Sequence, residues 1–339
     1  MKAPVIEQDV LDFHHSQILI DMHVDVIIQH RLFRYNIRKR HKPWMRRQPF
    51  IWHADIPRML EGGYTSAILG IHYYPWESKR AWKEVRKQLS YMEKVVAEDE
   101  RVLLARNASD ILRAKENGQL AFMAGLEGAH LLNGDLERLD EAVERGCIYL
   151  TLAHFSRNAA AVPGMGRGSG STDGLSEFGR KLVRRMNDLK IIVDVAHVNP
   201  AGVLDACSET SAPVIASHTC CISMHENTRG MTDEGIRAVA ETGGVIGVIF
   251  SPGFLKGKFD VSLDAVVEQT MYIADMVGPE HLAVGSDFDG WIPSIPNDIR
   301  DCRDMPLLTQ KLLAAGMSKD EVSGVLGRNL LRVIETIRS

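Results

Sequence analysis

The stretch Ile18-Leu19-Ile20-Asp21-Met22-His23-Val24-Asp25 decides how the rest of the chain is read. Three apolar residues open it as a buried strand. Polarity follows at once, with His23 and Asp25 two positions apart. Along a strand, side chains at i and i+2 project to the same side. An imidazole and a carboxylate aimed together from a strand end form half of a divalent-metal site. A complete site needs partners from later strands.

Seven more short apolar runs follow, at 64–71, 120–126, 147–152, 191–195, 213–217, 244–250 and 282–286. Helical patterns stand near or between them at 51–62, 77–98, 136–145, 176–188, 200–207, 233–241 and 263–276, and two more helices close the chain. Fully apolar strands alternating with helices imply a parallel sheet covered on its outer face. Eight such units predict an α/β fold of the (β/α)8, TIM-barrel type, with the site at the C-terminal ends of the strands. An open doubly wound sheet would show a Gly-rich phosphate turn after the first strand, and none is present. No linker divides the chain, so residues 1–339 are expected to form one barrel domain. The run Gly164-Met165-Gly166-Arg167-Gly168-Ser169-Gly170 lacks phosphate-loop spacing and reads as a mobile loop near the site.

The strand ends carry the chemistry. The first ends in His23 and Asp25, the third in Glu127, the fourth in His154, the fifth in His197, the sixth in His218 and the eighth in Asp287. One polar residue at a strand end is unremarkable. Six strand ends in register, all converging on one barrel face, form a constellation. Imidazoles and carboxylates without thiolate suit borderline divalent ions such as Zn²⁺. Two imidazoles on one side, a His and an Asp on the other, and a carboxylate between would suit two ions, which lower the pKa of bound water to give a hydroxide nucleophile. Asp287 would be the spare carboxylate that moves a proton, and His154 an oxyanion donor. His14, His15, His30, His41, His53, His72, His130, His225 and His281 read as ordinary structural histidines. Ser156 and Ser217 have histidine neighbours but no nucleophile-elbow context, which argues against a serine hydrolase.

Composition narrows the class. Hydrophobic residues are 45%, charged residues 25%, and the net charge is −4 with both signs interspersed. Neither nucleic acid nor a membrane surface is an expected partner. The chain shows no signal-peptide core, no membrane-length apolar run and no lipid-anchor tail. Five cysteines without framework spacing suggest reduced thiols and a cytoplasmic setting. Residues 30–50 carry eight Arg and Lys. That stretch reads as a solvated loop or a lid over the site, and attraction of carboxylated substrates is one role it could have.

The motifs together resemble the membrane (renal) dipeptidase family of zinc peptidases, within the amidohydrolase superfamily. The resemblance runs through DMHVD at 21–25, LEGAH at 126–130, GCIYLTLAH at 146–154 and GLSEFGRKLVRRMNDLKIIVDVAHV at 174–198. It continues through APVIASH at 212–218, GGVIGVIF at 243–250, VGSDFDG at 284–290 and GRNLLRV at 327–333. It implies two Zn²⁺ ions, one on His23 and Asp25, the other on His197 and His218, bridged by Glu127. It implies that His154 contacts the scissile carbonyl, that Asp287 shuttles the proton, and that Arg229 binds the terminal carboxylate of a dipeptide. The implied reaction is amide hydrolysis of a dipeptide by a metal-bridging hydroxide, and a homodimer is the implied assembly.

Three departures are visible. Val24 stands where the family usually has Asn, FSRNAAAVPGMGRG follows His154 in place of an Asn/Trp-containing segment, and SAILGIHYYPW replaces a Gln-Phe-Trp-like stretch on the second strand. Val24 faces away from the ligands and bears on their support, whereas the other two segments face substrate, so hydrolysis of another small amide, an N-acyl amino acid or a lactam is the alternative. A catalytically silent metal-binding barrel is the reading from a different class.

Overall fold

The structure is a computed structural model that describes residues 3–42, 50–74 and 76–338. Nine strands are found among them: β1 (Leu19–Val24), β2 (Tyr64–Ile71), β3 (Val102–Leu104), β4 (Leu120–Glu127), β5 (Cys147–Thr151), β6 (Ile192–Asp194), β7 (Val214–Thr219), β8 (Val245–Val248) and β9 (Leu282–Val284). All pair in parallel, in the order β2-β1-β9-β8-β7-β6-β5-β4-β3, and β2 also pairs with β4. That pairing closes an eight-stranded barrel, as expected from the alternating pattern. The ninth strand, β3, was not expected. It pairs only with Leu120–Phe122 at the start of β4, below the point where β5 takes over.

The strands are short and buried along their length because helices cover the outside and side chains fill the inside. Ile20, Met22, Met123, Ile148 and Ile215 form one apolar cluster with Ile111 of helix Ala108–Asn117 and Ile334 of helix Asn329–Arg338. These residues come mostly from the first halves of the strands. They plug the N-terminal end of the barrel and leave the other end for polar groups.

Several helices start where a polar residue accepts a first-turn N–H. Ser176, Asn199 and Thr232 each cap in this way. Helices Gln8–Ser16, Val26–Phe33 and Ala108–Asn117 were not anticipated. The last carried the usual signals, an Asn107 cap and Gly118 in a left-handed stop. Val26–Phe33 begins directly after Asp25, so a helix takes up the start of the basic stretch. Beyond it, Arg38 pairs outward with Glu98 at 2.7 Å, and Arg40 pairs with Glu61. Arg46 and Arg47 lie outside the described residues. No described helix is long and apolar enough to cross a membrane.

Two irregularities matter for the site. The β1–β2 register shifts between Asp21 and Val24, and the β7–β8 register shifts between Ala216 and Thr219. In each case the strand carries one extra residue relative to its partner, which is a β-bulge. The first bulge brings His23 into the polar end while Val24 joins the outer core. The second surrounds Ser217 and His218. Asp25 lies beyond the strand, at φ −92° and ψ 22°. Simple alternation through residue 25 is therefore not what pairs it with His23; the bulge and the turn into the next helix do so.

The loop before helix Ile56–Glu61 is fixed by a buried cation. Arg58 donates from Nε to Asp55 Oδ2 at 2.7 Å, from Nη1 to Asp301 Oδ2 at 3.0 Å, and from Nη2 to Tyr35 Oη at 2.9 Å. Its side chain is fully buried. Replacing it takes the arginine from buried Asp55 and leaves Asp301 with Arg303 alone. Arg58→Met is expected to lower unfolding free energy by about 3–5 kcal/mol, read by guanidinium denaturation; a loss below about 1 kcal/mol would contradict this account.

Candidate metal centre

The C-terminal end of the barrel gathers the expected residues into one buried cluster. Glu127 is the last residue of β4, and its Oε1 sits at the middle. His197 Nε2 is 3.1 Å from it, His154 Nε2 3.4 Å, and His23 Nε2 and His218 Nε2 3.6 Å each. Asp25 Oδ1 is 3.2 Å from His23 Nε2, and Asp287 Oδ1 is 3.9 Å from the same atom. The His23 and His218 rings stack with centroids 4.0 Å apart. Donor atoms of His23, Asp25 and Glu127 lie within 4.8 Å of one another, and so do those of Glu127, His197 and His218. A third such group joins His23, His218 and Asp287.

The donor chemistry fits divalent cations. His23 Nε2 and Asp25 Oδ1 are buried and make no hydrogen bond in spite of their closeness. His197 Nε2 and His218 Nε2 face each other at 3.0 Å, where at most one can carry a proton. A cation would satisfy both pairs. Protonation follows the same logic. Burial opposes a proton on His23, but the carboxylates of Asp25 and Glu127 outweigh it and push the imidazole up to about 10. Burial and the charge of Asp25 lift Glu127 well above the carboxylate range. Burial lowers His197 and His218 well below their usual value, which leaves neutral imidazoles, the form that ligates metal. Without metal, retained protons partly offset the buried negative charge.

Residues behind the donors hold them in place, and sequence reasoning missed most of them. Tyr149 Oη lies 2.6 Å from His23 Nδ1. Ser217 Oγ contacts His218 Nδ1 at 2.9 Å and donates to Asp194 Oδ2 at 2.7 Å. This Ser-His-Asp contact is fully buried, so Ser217 serves to orient the imidazole and is in no position to attack a substrate. Asp194 also accepts the N–H groups of Ala196 and Ser217, tying β6 to β7. Its charge within the apolar run IIVDV was the available signal. Two glycines make room: a Cβ on Gly70 would collide with Asp25 Oδ1, and one on Gly125 would collide with the Tyr149 ring.

His197, Asp287, Asp289 and Trp291 all take left-handed φ angles between 59° and 67°. Such residues cost about 1–3 kcal/mol each and persist only where the surroundings enforce them. Asp289 supplies part of that enforcement by accepting the N–H groups of His53 and Ala54 at 2.8 and 3.1 Å. The glycine run 164–170 is also anchored here. Gly164 N–H donates to His197 O at 2.7 Å, and Asn199 Nδ2 donates to Gly170 O at 2.6 Å.

Above the cluster lies a cavity of about 260 Å³. Its floor holds Asp25, Glu127, His154, His197 and Asp287, and its walls include Phe155, Phe254, Trp291 and Ile292. Arg229 reaches it from the β7 side and is buried. Its Nη2 donates to His218 O at 2.8 Å, whereas Nε and Nη1 are buried without a partner. His72, read from sequence as an ordinary histidine, also lines the cavity. Its ring is 5.8 Å from that of His154, and the His130 ring is 6.3 Å away on parallel planes. Burial, then the neighbouring His72 and His130, hold His154 well below its usual value, so it is neutral.

A profile of the membrane dipeptidase family (peptidase family M19) matches residues 7–339. The chain belongs to that family. An uncharacterized dipeptidase of Schizosaccharomyces pombe is 36% identical over 219 residues, covering 64% of this chain and 53% of that protein. The chain thus spans about half the length of this curated relative. Among solved structures, the probable dipeptidase PvdM of Pseudomonas aeruginosa matches with a TM-score of 0.88 at 19% identity, over 98% of both chains. A metallopeptidase of Rhodobacter sphaeroides, solved with a phosphinate mimic of the dipeptide L-Ala-D-Ala, matches with a TM-score of 0.82 at 24% identity, over 95% of this chain and 99% of that one. At such identities the two structures establish a shared fold.

Two outcomes follow from this geometry. Tyr149→Phe removes the partner of His23 Nδ1 and is expected to weaken metal binding by about 10–100-fold, measured by calorimetric titration; unchanged affinity would mean that Tyr149 does not orient His23. The second concerns pH. Burial, with the charge of Asp25, raises the Asp287 carboxyl from 3.8 to about 8. The contribution of this group to stability is complete below pH 3.8 and is lost as pH rises to about 8. In metal-free protein, Asp287→Asn should therefore gain stability relative to the parent as pH rises through that window. Thermal melts in chelator would show it, and a pH-independent difference would refute it.

Proposed function

We propose that this chain is a single-domain zinc-dependent dipeptidase that hydrolyses the amide bond of a small dipeptide. The observation that carries the reading is the buried donor cluster around Glu127 beside an arginine with two unpartnered N–H groups. In this reading His23 and Asp25 would hold one Zn²⁺ and His197 and His218 the other, with Glu127 as the ligand that both groups would share. Ions held there would polarise the scissile carbonyl and lower the pKa of water.

The chain's own residues supply the rest. Arg229 binds the terminal carboxylate through an N–H group that the protein leaves unpartnered, on Nε or Nη1, a charge-assisted donor suited to that group. This sets the amide over Glu127. Neutral His154 donates to the carbonyl oxygen as negative charge develops there. Asp287 takes a proton from the attacking water and passes it to the amide nitrogen as the C–N bond breaks. The lift of its carboxyl suits a group that must both accept and release a proton near neutrality. The apolar wall of Phe155, Phe254 and Trp291 would receive an acyl chain equally well, so N-acyl amino acids and lactams remain in the substrate panel. The free thiols of all five cysteines favour a reducing, cytoplasmic setting.

Metal analysis and turnover test the reading together. The zinc-loaded protein should hold two ions and cleave at least one dipeptide of an L,L and L,D panel. Asp287→Asn should keep its metal and lose about 10²–10⁴-fold in kcat. Saturation at one ion would refute the bridged pair, and absence of any amide hydrolysis by the loaded parent would refute the enzyme.

A further inference from the structure

Among the described residues that line the cavity, His72 is the one titratable side chain that neither the donor cluster nor the proposed reaction uses. Its place follows from β2. Gly70, near the end of that strand, faces inward, where a Cβ would collide with Asp25 Oδ1. Two residues on, the chain presents His72 to the same side. Gln88 Nε2 donates to the His72 carbonyl oxygen at 2.8 Å, which holds the backbone while the ring enters the cavity. Neither ring nitrogen has a hydrogen-bond partner among the described residues, and Nδ1 is enclosed. Burial lowers the imidazole from 6.5 to about 4, so it is neutral near pH neutrality. A neutral ring carries one N–H, and its other nitrogen is an acceptor with nothing to accept.

Two relations bring that acceptor to a bound substrate. Around the closed barrel β2 is four strands from β7 in both directions, so His72 stands across the mouth from Arg229, which is bonded to His218 of β7. A dipeptide with its carboxylate on Arg229 turns its N-terminal residue toward the β2 side. The second relation is reach. The ring of His154, which meets the scissile carbonyl in the proposed reaction, is 5.8 Å from that of His72 and inclined to it by 71°. The amino nitrogen of the same substrate residue lies at most about 3.6 Å from that carbonyl oxygen. Two rings so spaced meet these two atoms together. An amine suits the spot better than an anion, because Asp25 acts on the ring more strongly than Arg31 does. We propose that His72 accepts a hydrogen bond from the free α-amino group of the substrate and so separates dipeptides from N-acyl amino acids. This rests on the dipeptidase reading and names the substrate class of that site. His72 belongs to SAILGIHYYPW, a segment that departs from the family pattern, so the contact is made by a residue of this chain's own.

The test uses glycyl-leucine and N-acetyl-leucine, which share a skeleton and differ by one amino group. On zinc-loaded protein, kcat/KM is measured for each, together with the inhibition constant of N-acetyl-leucine against glycyl-leucine. The parent should favour glycyl-leucine by about 10-fold or more, the effect of one charge-assisted hydrogen bond. In His72→Phe, kcat/KM for glycyl-leucine should fall by about 10-fold, whereas the inhibition constant of N-acetyl-leucine should stay within about 2-fold. His72→Gln restores an acceptor and should exceed His72→Phe on glycyl-leucine by about 3-fold or more, a rescue that filling the space cannot give. A parental ratio near 1, a loss in His72→Phe shared by both compounds, or equal glycyl-leucine rates in the Phe and Gln variants overturns the assignment and leaves the dipeptidase reading standing. Turnover of no dipeptide by the loaded parent overturns both.

Discussion

A carboxylate buried among four imidazoles is the constraint on which the rest of this structure depends. Glu127 is 2% exposed, and Asp25 and Asp287 are nearly as enclosed. Burying one ion without compensation costs several kcal/mol, and these three share a space too small for mutual indifference. Compensation must come from protons, from cations or from both. The upward shifts of His23, Glu127 and Asp287 describe the first remedy, and the unpartnered donor atoms prepare for the second. The barrel suits such a burden. The β2–β4 pairing leaves the eight barrel strands no open end, with β3 alone at an edge, and the N-terminal end is solid with Ile, Met and helix side chains. The polar end is thereby held on a frame that does not yield when like charges repel.

Around that constraint the supporting parts fall into two kinds. Hydrogen bonds from Tyr149, Ser217 and Asp194 aim the imidazoles, while missing side chains at Gly70 and Gly125 give Asp25 and Tyr149 their space. The left-handed residues from Asp287 to Trp291 belong to a loop gripped by Asp289 from the side of His53. Local strain is carried there because many contacts outside the loop prescribe its path.

The legible part of this molecule was the part encoded by neighbours in sequence. Eight short apolar runs betray strands buried on both faces, and their alternation with helices admits few topologies. Polar residues at the strand ends were legible because a barrel sends all such ends to one face. What could not be read depends on residues far apart. The bulges in β1 and β7 arise from pairing with β2 and β8, and no local pattern announces them. His72 looked ordinary because its importance lies in a cavity formed by several loops. Strand β3 has three residues and one partner, too little to rise above the helices beside it. Of the segments that depart from the family pattern, Val24 follows His23, Phe155 follows His154, and Gly70 and His72 of the stretch SAILGIHYYPW adjoin Asp25 and His154, which is why they altered the surroundings of the site and left its centre recognisable.

The two bulges also govern how this chain can change over generations. Each donates a single extra residue that puts an imidazole on the inner side of its strand. Exchange of one amino acid for another leaves that count intact, and most neighbouring positions can drift. Removal of one codon from 21–24 or 216–219 restores regular pairing and abolishes the bulge on which the present placement of His23 or His218 rests. Pairing thus constrains the length of these segments more than most of their letters, and gaps in that part of an alignment would separate lineages that kept this centre from those that abandoned it.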